Sequence, residues 1–256
     1  MTTPTTPTNN ALASALEAHR KSVQAKMSST KPSPHLFIVG SSATGKSRSI
    51  KNLPPEKTVV INVEGKTLPF ENAKSFDENA AFGFSDSAQV DAVIKSIANV
   101  PGINYVVVDS FTKYQELAMS ESRKIGGGWE IMNRYYAQIF NLFEFIKKVP
   151  DKIFIFIAND EIVKVEQPNG STVGRRHITC DGKWLTKIEK EFAIVLFSEL
   201  KVTNQGGQIK REYKFITNSD GITSAKSPEG LFAYEIDNDL AQVVKQVEKY
   251  FSLGVA

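Results

Sequence analysis

The sequence predicts an α/β protein whose central sheet is mostly parallel, flanked by helices, and completed by an antiparallel hairpin at one edge. In the first two thirds of the chain, short apolar runs typical of buried strands alternate with segments of helical periodicity. The turn Gln205-Gly206-Gly207 then separates two further strand-like segments, as in a hairpin. In such sheets ligands bind at the carboxyl ends of the parallel strands, so we expect the functional residues there.

Composition is that of an ordinary globular protein. The chain has 256 residues, of which 41% are hydrophobic and 23% are charged, enough for one sizeable core. The net charge of +3 permits nucleic acid as a partner without arguing for it. The single cysteine, Cys180, excludes an intrachain disulfide. With neither a membrane-length apolar run nor a signal-peptide pattern, the sequence favours the cytoplasm and no membrane contact.

The chain is predicted to contain one large domain and two short ends. Residues 1–10, rich in Thr, Pro and Asn, are expected to be disordered. Residues 11–27 favour a helix that docks weakly or binds a neighbouring subunit, and a linker follows to residue 33. The domain itself is expected to span residues 34–251, and residues 252–256 form a tail.

Within the domain, apolar β-branched runs predict strands, and apolar residues three or four positions apart predict helices. Residues 66–84 and 160–182 fit neither pattern and are expected to be loops. The run 153–158 is apolar on both faces and is expected to be a central strand. The predicted strands are 36–39, 57–63, 105–108, 153–158, 193–200 and 209–217, and the predicted helical segments are 47–51, 87–100, 111–125 (helix or loop), 131–149, 182–192 and 240–251.

One segment matches the pattern G-x-x-x-x-G-K-[ST] of the Walker A motif, and we call residues 40–47 the phosphate loop. It lies between a predicted strand and a predicted helix, as the motif requires. Its glycines would let successive backbone N–H groups face one concavity that binds phosphate oxygens. The alternative, a glycine-rich turn before a surface helix, does not explain the intact triplet. The loop reads Gly40-Ser41-Ser42-Ala43-Thr44-Gly45-Lys46-Ser47.

Side chains of the phosphate loop predict the cofactors ATP and Mg²⁺. Lys46 would reach the β- and γ-phosphates and act in catalysis, and the Ser47 hydroxyl would bind Mg²⁺. Arg48, which follows directly, is expected to contribute to nucleotide binding.

Three more candidates follow predicted strands directly. Asp109 would complete the Mg²⁺ site as a Walker B carboxylate; the alternative role of helix cap suits Ser110 better. Glu64 would orient and deprotonate the attacking water, unless it is a solvated loop residue. Asn159 would sense the γ-phosphate and take part in catalysis, unless it only forms a turn.

Basic residues in two predicted loops are candidates for contact with single-stranded DNA. Arg175, Arg176 and Lys183 would give the loop after the fourth strand a basic tip. Lys124, before a run of three glycines, belongs to a second such loop. The alternative for both is an ordinary solvated loop. Lys226 could reach the nucleotide of a neighbouring subunit, or it could be an exposed surface lysine.

Together these features resemble RecA-like P-loop ATPases, and most of all the compact phage ATPases of the single-strand annealing and recombination group. The resemblance implies a RecA-type core, ATP and Mg²⁺, a ring or filament, and binding to single-stranded DNA, with a single-stranded-DNA-binding protein as a further expected partner. It also implies that Glu64 is the catalytic carboxylate. Ser47 stands where relatives more often carry Thr, and Asn159 where they often carry His or Gln. Besides the phosphate loop, the matching segments are Asn62-Val63-Glu64-Gly65, Val106-Val107-Val108-Asp109-Ser110, Ile155-Phe156-Ile157-Ala158-Asn159-Asp160-Glu161, Gly182-Lys183-Trp184-Leu185 and Ala225-Lys226-Ser227-Pro228.

Three functions follow from these interpretations. We favour an ATPase that acts on single-stranded DNA in phage recombination or replication. The second is an ATP-dependent assembly switch or adaptor with slow hydrolysis and protein partners. The third, a small-molecule kinase, ranks last because such enzymes need a lid with several arginines and residues 66–84 contain none.

Overall fold

The structure is a computed structural model that describes residues 34–149, 151–166, 170–181 and 185–253, together with positions 17, 20 and 21. Those three positions are helical, and the rest of the helix predicted over 11–27 lies outside the described residues. The predicted disordered tail, the linker up to residue 33 and residues 254–256 lie outside them as well.

The central sheet has eight strands in the order β10-β9-β8-β1-β5-β4-β2-β3, and a separate hairpin contains β6 and β7. Neighbouring strands are parallel from β8 through β3, whereas β9 and β10 join by antiparallel pairing. The predicted fold class and the central position of β5 are therefore confirmed. The strands are β1 (Leu36–Val39), β2 (Thr58–Asn62), β3 (Ala80–Phe82), β4 (Tyr105–Asp109), β5 (Ile153–Ala158), β6 (Asp160–Glu166), β7 (Thr172–Ile178), β8 (Ile194–Gln205), β9 (Gln208–Ile216) and β10 (Glu235–Asp237).

Helices cover both faces of this sheet. Two of them begin at side-chain caps: Asp86 accepts from the Gln89 N–H at 2.9 Å, and Ser110 accepts from the Lys113 N–H at 3.2 Å, as predicted for Ser110. The α-helices are α1 (Ser87–Ile97), α2 (Phe111–Ile125), α3 (Trp129–Ile146), α4 (Leu185–Lys190) and α5 (Leu240–Leu253), and 3₁₀ helices span Ser47–Asn52, Pro55–Lys57 and Ala73–Asn79.

The core consists of two apolar layers, one on each face of the sheet. Alternate residues of β1 point to opposite layers, with Phe37 on one side and Leu36 and Ile38 on the other. Because β1 is buried on both faces, it forms a rigid base for the loop that follows it. One layer contains a cluster of five phenylalanine rings, four of them from β1, α2, α3 and β5 and one from the segment after α4, packed mostly edge to face: Phe37, Phe111, Phe143, Phe156 and Phe192.

Two segments predicted to be loops contain regular structure. Within the range 160–182, β6 and β7 form an antiparallel pair in which Asp160 pairs with Ile178 and Glu166 with Thr172. Its strands are polar and exposed on alternate positions, so they lack the apolar signal of a buried strand. In the segment 66–84 a 3₁₀ helix precedes β3, whose three residues are too few to show any periodicity. None of the described helices combines the length and the apolar character needed to cross a membrane.

Candidate active site

The backbone of the phosphate loop requires glycine at two positions. A Cβ atom on Gly40 would come within 2.8 Å of the Ser198 carbonyl oxygen and of Thr44 Oγ1. Gly45 has φ near +97°, and a Cβ atom there would lie 2.5 Å from the ring of Tyr213. Both contacts are closer than a real Cβ can approach, so the loop can keep its shape only with glycine at these sites.

The helix predicted after the loop is confirmed, and it is a 3₁₀ helix that spans Ser47–Asn52. The N–H of Ser49 nevertheless bonds to the carbonyl oxygen of Gly45 at 3.0 Å, as in an α-helical turn. At the other end of the loop, Ser41, Ser42 and Ala43 are exposed to solvent. The tip of the loop is thus open, and its base is closed by hydrogen bonds.

Lys46 spans the concavity of the phosphate loop. Its Nζ donates to the carbonyl oxygens of Gly40 at 2.7 Å and Ser41 at 2.8 Å. Burial lowers the pKa of Lys46, although nearby carboxylates, that of Asp109 most strongly, oppose this effect. The Nζ atom of Lys46 therefore lies at the place where the motif predicts the β- and γ-phosphates.

Asp109 is the last residue of β4 and lies beside the phosphate loop. It is buried, and the Ser47 hydroxyl donates a hydrogen bond to its carboxylate. Burial raises the pKa of Asp109, while this hydrogen bond lowers it. A hydroxyl and a carboxylate held together are hard oxygen ligands, and Mg²⁺ combines one or two such ligands with water and phosphate oxygens. The two residues fit the predicted metal site.

Glu64 lies two residues beyond β2, next to the same site, and its carboxylate has two donors. Ser110 Oγ donates to Glu64 Oε1 at 2.8 Å, and Lys66 Nζ lies 2.5 Å from Oε2. Burial alone would raise the pKa of Glu64, but the bonds from Lys66 and Ser110 outweigh it and hold the pKa below its ordinary value. Because the Ser110 hydroxyl also caps α2, it fixes the carboxylate to a rigid element.

Asp160 joins the phosphate loop to the β6–β7 hairpin. Ser41 Oγ donates to Asp160 Oδ1 at 2.8 Å, and Arg176 Nε donates to Oδ2 at 2.6 Å. Arg176 also pairs with Glu199 of β8. The predicted sensor is the neighbouring Asn159, because nothing in the sequence shows which of two adjacent polar residues contacts the phosphate loop.

Asn159 is placed by its backbone. Its N–H donates to Thr112 Oγ1 at 2.9 Å, and its carbonyl oxygen accepts from the Thr179 N–H at 2.8 Å. These bonds keep Asn159 at the carboxyl end of β5, and its role as a sensor stays a prediction.

The predicted basic tip of the loop after β5 is wrong in its placement. Arg175 pairs with Val163 and Arg176 with Ile162, so both arginines lie within β7 and away from the Glu166–Thr172 end of the strand pair. Arg175 is half-buried, and Arg176 is held by its two ion pairs. A charged residue in the middle of a strand is positioned by the strand register, which the sequence analysis did not anticipate. Lys183 lies outside the described residues.

Lys124 and Lys226 lie in different surroundings. Lys124 is exposed in the last turn of α2, five positions before Trp129. Trp129 is the first residue of α3, directly after the three glycines, and is 85% exposed. Lys226 is half-buried and bonds through its backbone to Val195 of β8. Burial lowers the pKa of Lys226, with Glu189 opposing. The alternative of a fully exposed surface lysine is therefore wrong, and the role across a subunit boundary stays a prediction.

A second set of residues contacts the phosphate loop from the antiparallel side of the sheet. Ser198 Oγ donates to the Thr44 carbonyl oxygen at 2.7 Å, and Asn238 Nδ2 donates to Ser198 Oγ at 2.9 Å. The Arg48 guanidinium lies 4.7 Å from the centre of the Tyr213 ring. No motif marks these residues except Arg48, because they belong to strands and turns far along the chain.

Comparison with known proteins gives one family. A family model described as an AAA domain matches residues 33–227, a range that includes the phosphate loop, Glu64, Asp109 and Lys226. Among solved structures, a KaiC-like protein from the hyperthermophilic archaeon Pyrococcus horikoshii OT3 is similar, with a TM-score of 0.40 and 11% identity over 71% of this chain and 77% of that one. No curated protein matches.

Proposed function

The chain belongs to the family of AAA domains, and we propose that its RecA-like P-loop domain hydrolyses ATP with Mg²⁺ while acting on single-stranded DNA in phage recombination or replication. One observation carries the nucleotide part of the proposal. Lys46 and the hydrogen-bonded pair of Ser47 and Asp109 meet at the phosphate loop, with Glu64 beside them.

The residues of this site would have separate roles in the transfer of the γ-phosphoryl group to water. The loop N–H groups and Lys46 would bind the phosphates and offset the charge that develops on them. Ser47 and Asp109 would hold Mg²⁺, which would help to offset the negative charge of the phosphates. Glu64 would orient the attacking water and accept its proton. Its low pKa keeps the carboxylate ionised at neutral pH, and the Ser110 hydroxyl fixes its direction.

Two adjoining surfaces support DNA as the second ligand. Gln115 of α2 donates to the Thr179 carbonyl oxygen at 2.9 Å, and Tyr136 of α3 donates to that of Asp181 at 3.0 Å. These bonds place both helices against the segment that follows the β6–β7 hairpin. Large apolar side chains are exposed on both parts: Trp129 at 85% and Ile162 at 73%. An exposed aromatic ring near Lys124 suits base stacking.

The contact of Asp160 with Ser41 supports a link between nucleotide and hairpin. Ser41 belongs to the phosphate loop, so a bound nucleotide changes the surroundings of the hydroxyl that anchors Asp160. Asp160 in turn holds Arg176 on β7. This chain of hydrogen bonds supports an ATPase that binds a second ligand at the hairpin, and it gives no such support to a small-molecule kinase.

We further propose that the protein acts as a homo-oligomeric ring or filament in the cytoplasm, which is the host cytoplasm for a phage protein. In that assembly Lys226 would approach the nucleotide of the next subunit. A single-stranded-DNA-binding protein is the further partner that the resemblance of the motifs suggests.

The test is phosphate release from ATP with and without a single-stranded oligonucleotide. We expect the DNA to stimulate release and its binding to weaken steeply as salt rises. Lys46→Ala should abolish release, whereas Lys74→Ala, which changes an exposed lysine away from the phosphate loop, should not. Trp129→Ala should lose the stimulation, and Trp129→Phe should retain most of it.

The outcomes separate the parts of the proposal. If Lys46→Ala releases phosphate at the wild-type rate, the ATPase assignment is wrong. If wild type releases phosphate but DNA alters neither the rate nor sedimentation, the DNA assignment is wrong. ATP-dependent change in sedimentation under those conditions would favour the assembly switch instead.

A further inference from the structure

A cavity of about 310 Å³ lies beside the phosphate loop, on the side of the antiparallel strands. This volume is at the lower end of the range of about 300–1,000 Å³ for small-molecule sites. Its walls come from the 3₁₀ helix Ser47–Asn52, from β9, and from the segment between β10 and α5. The residues that matter for its chemistry are Arg48, Tyr213, Asn238 and Asp239.

The wall of the cavity is bonded to the phosphate loop. The ring of Tyr213 packs against Gly45, and the Tyr213 carbonyl oxygen accepts from the Asn238 N–H at 3.2 Å. Asn238 is buried to 97% of its surface, and its side chain donates a hydrogen bond to Ser198 Oγ. Ser198 Oγ in turn donates to the Thr44 carbonyl oxygen, which belongs to the phosphate loop. Loop and wall therefore form one unit, so a ligand whose phosphates lie in the loop extends along a wall of fixed position.

The planar groups at the loop end of the cavity are suited to a nucleobase. The Arg48 guanidinium covers the Tyr213 ring at 4.7 Å, and both side chains are half-buried. A guanidinium supported by an aromatic ring presents a flat outer face, and nucleobases stack on such planes. Arg48 follows Ser47, so the flat face begins where the phosphate-binding backbone ends.

The far rim of the cavity supplies hydrogen-bonding groups suited to a sugar. Asn52 Nδ2 donates to Asp239 Oδ2 at 2.8 Å, which joins the 3₁₀ helix to the start of α5. Carboxylate and amide oxygens at such a rim can accept hydrogen bonds from ribose hydroxyls. An inorganic phosphate or a metal ion would use neither the planar stack nor this rim.

We propose that this cavity is the nucleoside pocket and that the base stacks on the Arg48–Tyr213 pair while the triphosphate lies in the phosphate loop. The inference rests on the proposed ATP binding and adds to it the residues that hold the nucleoside. Neither Tyr213 nor Asn238 has any other assigned role in the site.

The experiment compares the binding of ATP with that of inorganic triphosphate, both with Mg²⁺, by titration calorimetry on the full chain. Tyr213→Ala should weaken ATP binding about ten-fold or more, because a stacking platform is lost. Arg48→Lys keeps the positive charge but removes the planar guanidinium, so it should also weaken ATP binding. Inorganic triphosphate should bind both variants within about two-fold of wild type, since it makes no stacking contact.

Tyr213→Phe is the matched control, because it keeps the ring against Gly45 and under Arg48 and should bind ATP almost as wild type does. Equal losses for ATP and inorganic triphosphate in Tyr213→Ala would mean that Tyr213 only supports the loop. Unchanged ATP binding in Arg48→Lys and Tyr213→Ala would also overturn the inference. Should Tyr213→Ala fail to fold, Arg48→Lys still decides between these outcomes.

Different results would contradict the nucleoside pocket and the proposed function. If wild type binds neither ligand, or if Lys46→Ala binds both as tightly as wild type, the phosphate loop is not a nucleotide site and the proposed function is wrong. If wild type binds both ligands through Lys46 but the Tyr213 and Arg48 variants show no selective loss of ATP, only the nucleoside pocket is wrong.

Discussion

The two flanks of the phosphate loop offer a bound nucleotide opposite chemistry. On the side of β2, β4 and β5 lie three carboxylates, those of Glu64, Asp109 and Asp160. On the side of β8 and β9 lie the Tyr213 ring and the buried Asn238 amide. The carboxylate flank can hold a metal ion and activate water, whereas the other flank presents a planar stack of Arg48 on Tyr213 and a rim of hydrogen-bonding groups. The difference indicates that hydrolysis and recognition of the nucleoside are separable in this protein.

The flanks also differ in how the fold builds them. Each carboxylate follows the end of a parallel strand or lies within two residues of it, so the register of the sheet alone brings the three together. On the other flank Tyr213 lies inside a strand and Asn238 in the turn after β10, and hydrogen bonds connect them. Substitutions on the first flank should therefore change chemistry, and those on the second should change packing and affinity together.

The sharpest test of this separation is Glu64→Gln. Turnover should fall by about 10²- to 10⁴-fold, the range for loss of a general base. The affinity for ATP and its preference over inorganic triphosphate should stay as in wild type, as measured by phosphate release and calorimetry. Glu71→Gln, at an exposed position away from the site, is the control. Turnover within about three-fold of wild type would remove Glu64 from the catalytic role.

Asp160→Asn tests whether the carboxylate flank also anchors the hairpin. The variant removes one of the two negatively charged partners of the mostly buried Arg176, which should lower the free energy of unfolding by about 2 kcal/mol. Denaturant unfolding measures this change, and Glu166→Gln on the same hairpin is an exposed control. DNA stimulation should also decrease. If stability and stimulation both match the control, Asp160 does not connect loop and hairpin.

Lys66→Met should have the smallest effect, a shift in the pH dependence of turnover. The folded protein holds the pKa of Glu64 below its ordinary value, partly through Lys66, so the base stays ionised to low pH. Removing the charge should raise this pKa, and activity should then begin to fall at a higher pH as the solution is acidified. Lys74→Met serves as control. An unchanged acid limb would show that Lys66 does not set the protonation of Glu64.

The carboxylate flank was largely predictable from sequence because its signals are local. The phosphate loop is one contiguous motif, and Asp109 and Glu64 each follow an apolar run. The nucleoside flank was not predictable beyond Arg48, because its contacts join distant residues: Ser198 and Thr44 are 154 positions apart. Asp160 was missed for a related reason, since its partner Arg176 is fixed by the register of a polar hairpin with no apolar pattern.

The contact of Gly45 with Tyr213 has a consequence for the history of this sequence. Glycine is needed there independently of any nucleotide, because a Cβ atom would lie 2.5 Å from the ring. A descendant that had abandoned nucleotides would still keep this glycine in order to fold, while Lys46 could mutate freely. Inactive descendants should thus be recognisable by a missing lysine beside a retained glycine, and the glycine by itself is no proof of a working enzyme.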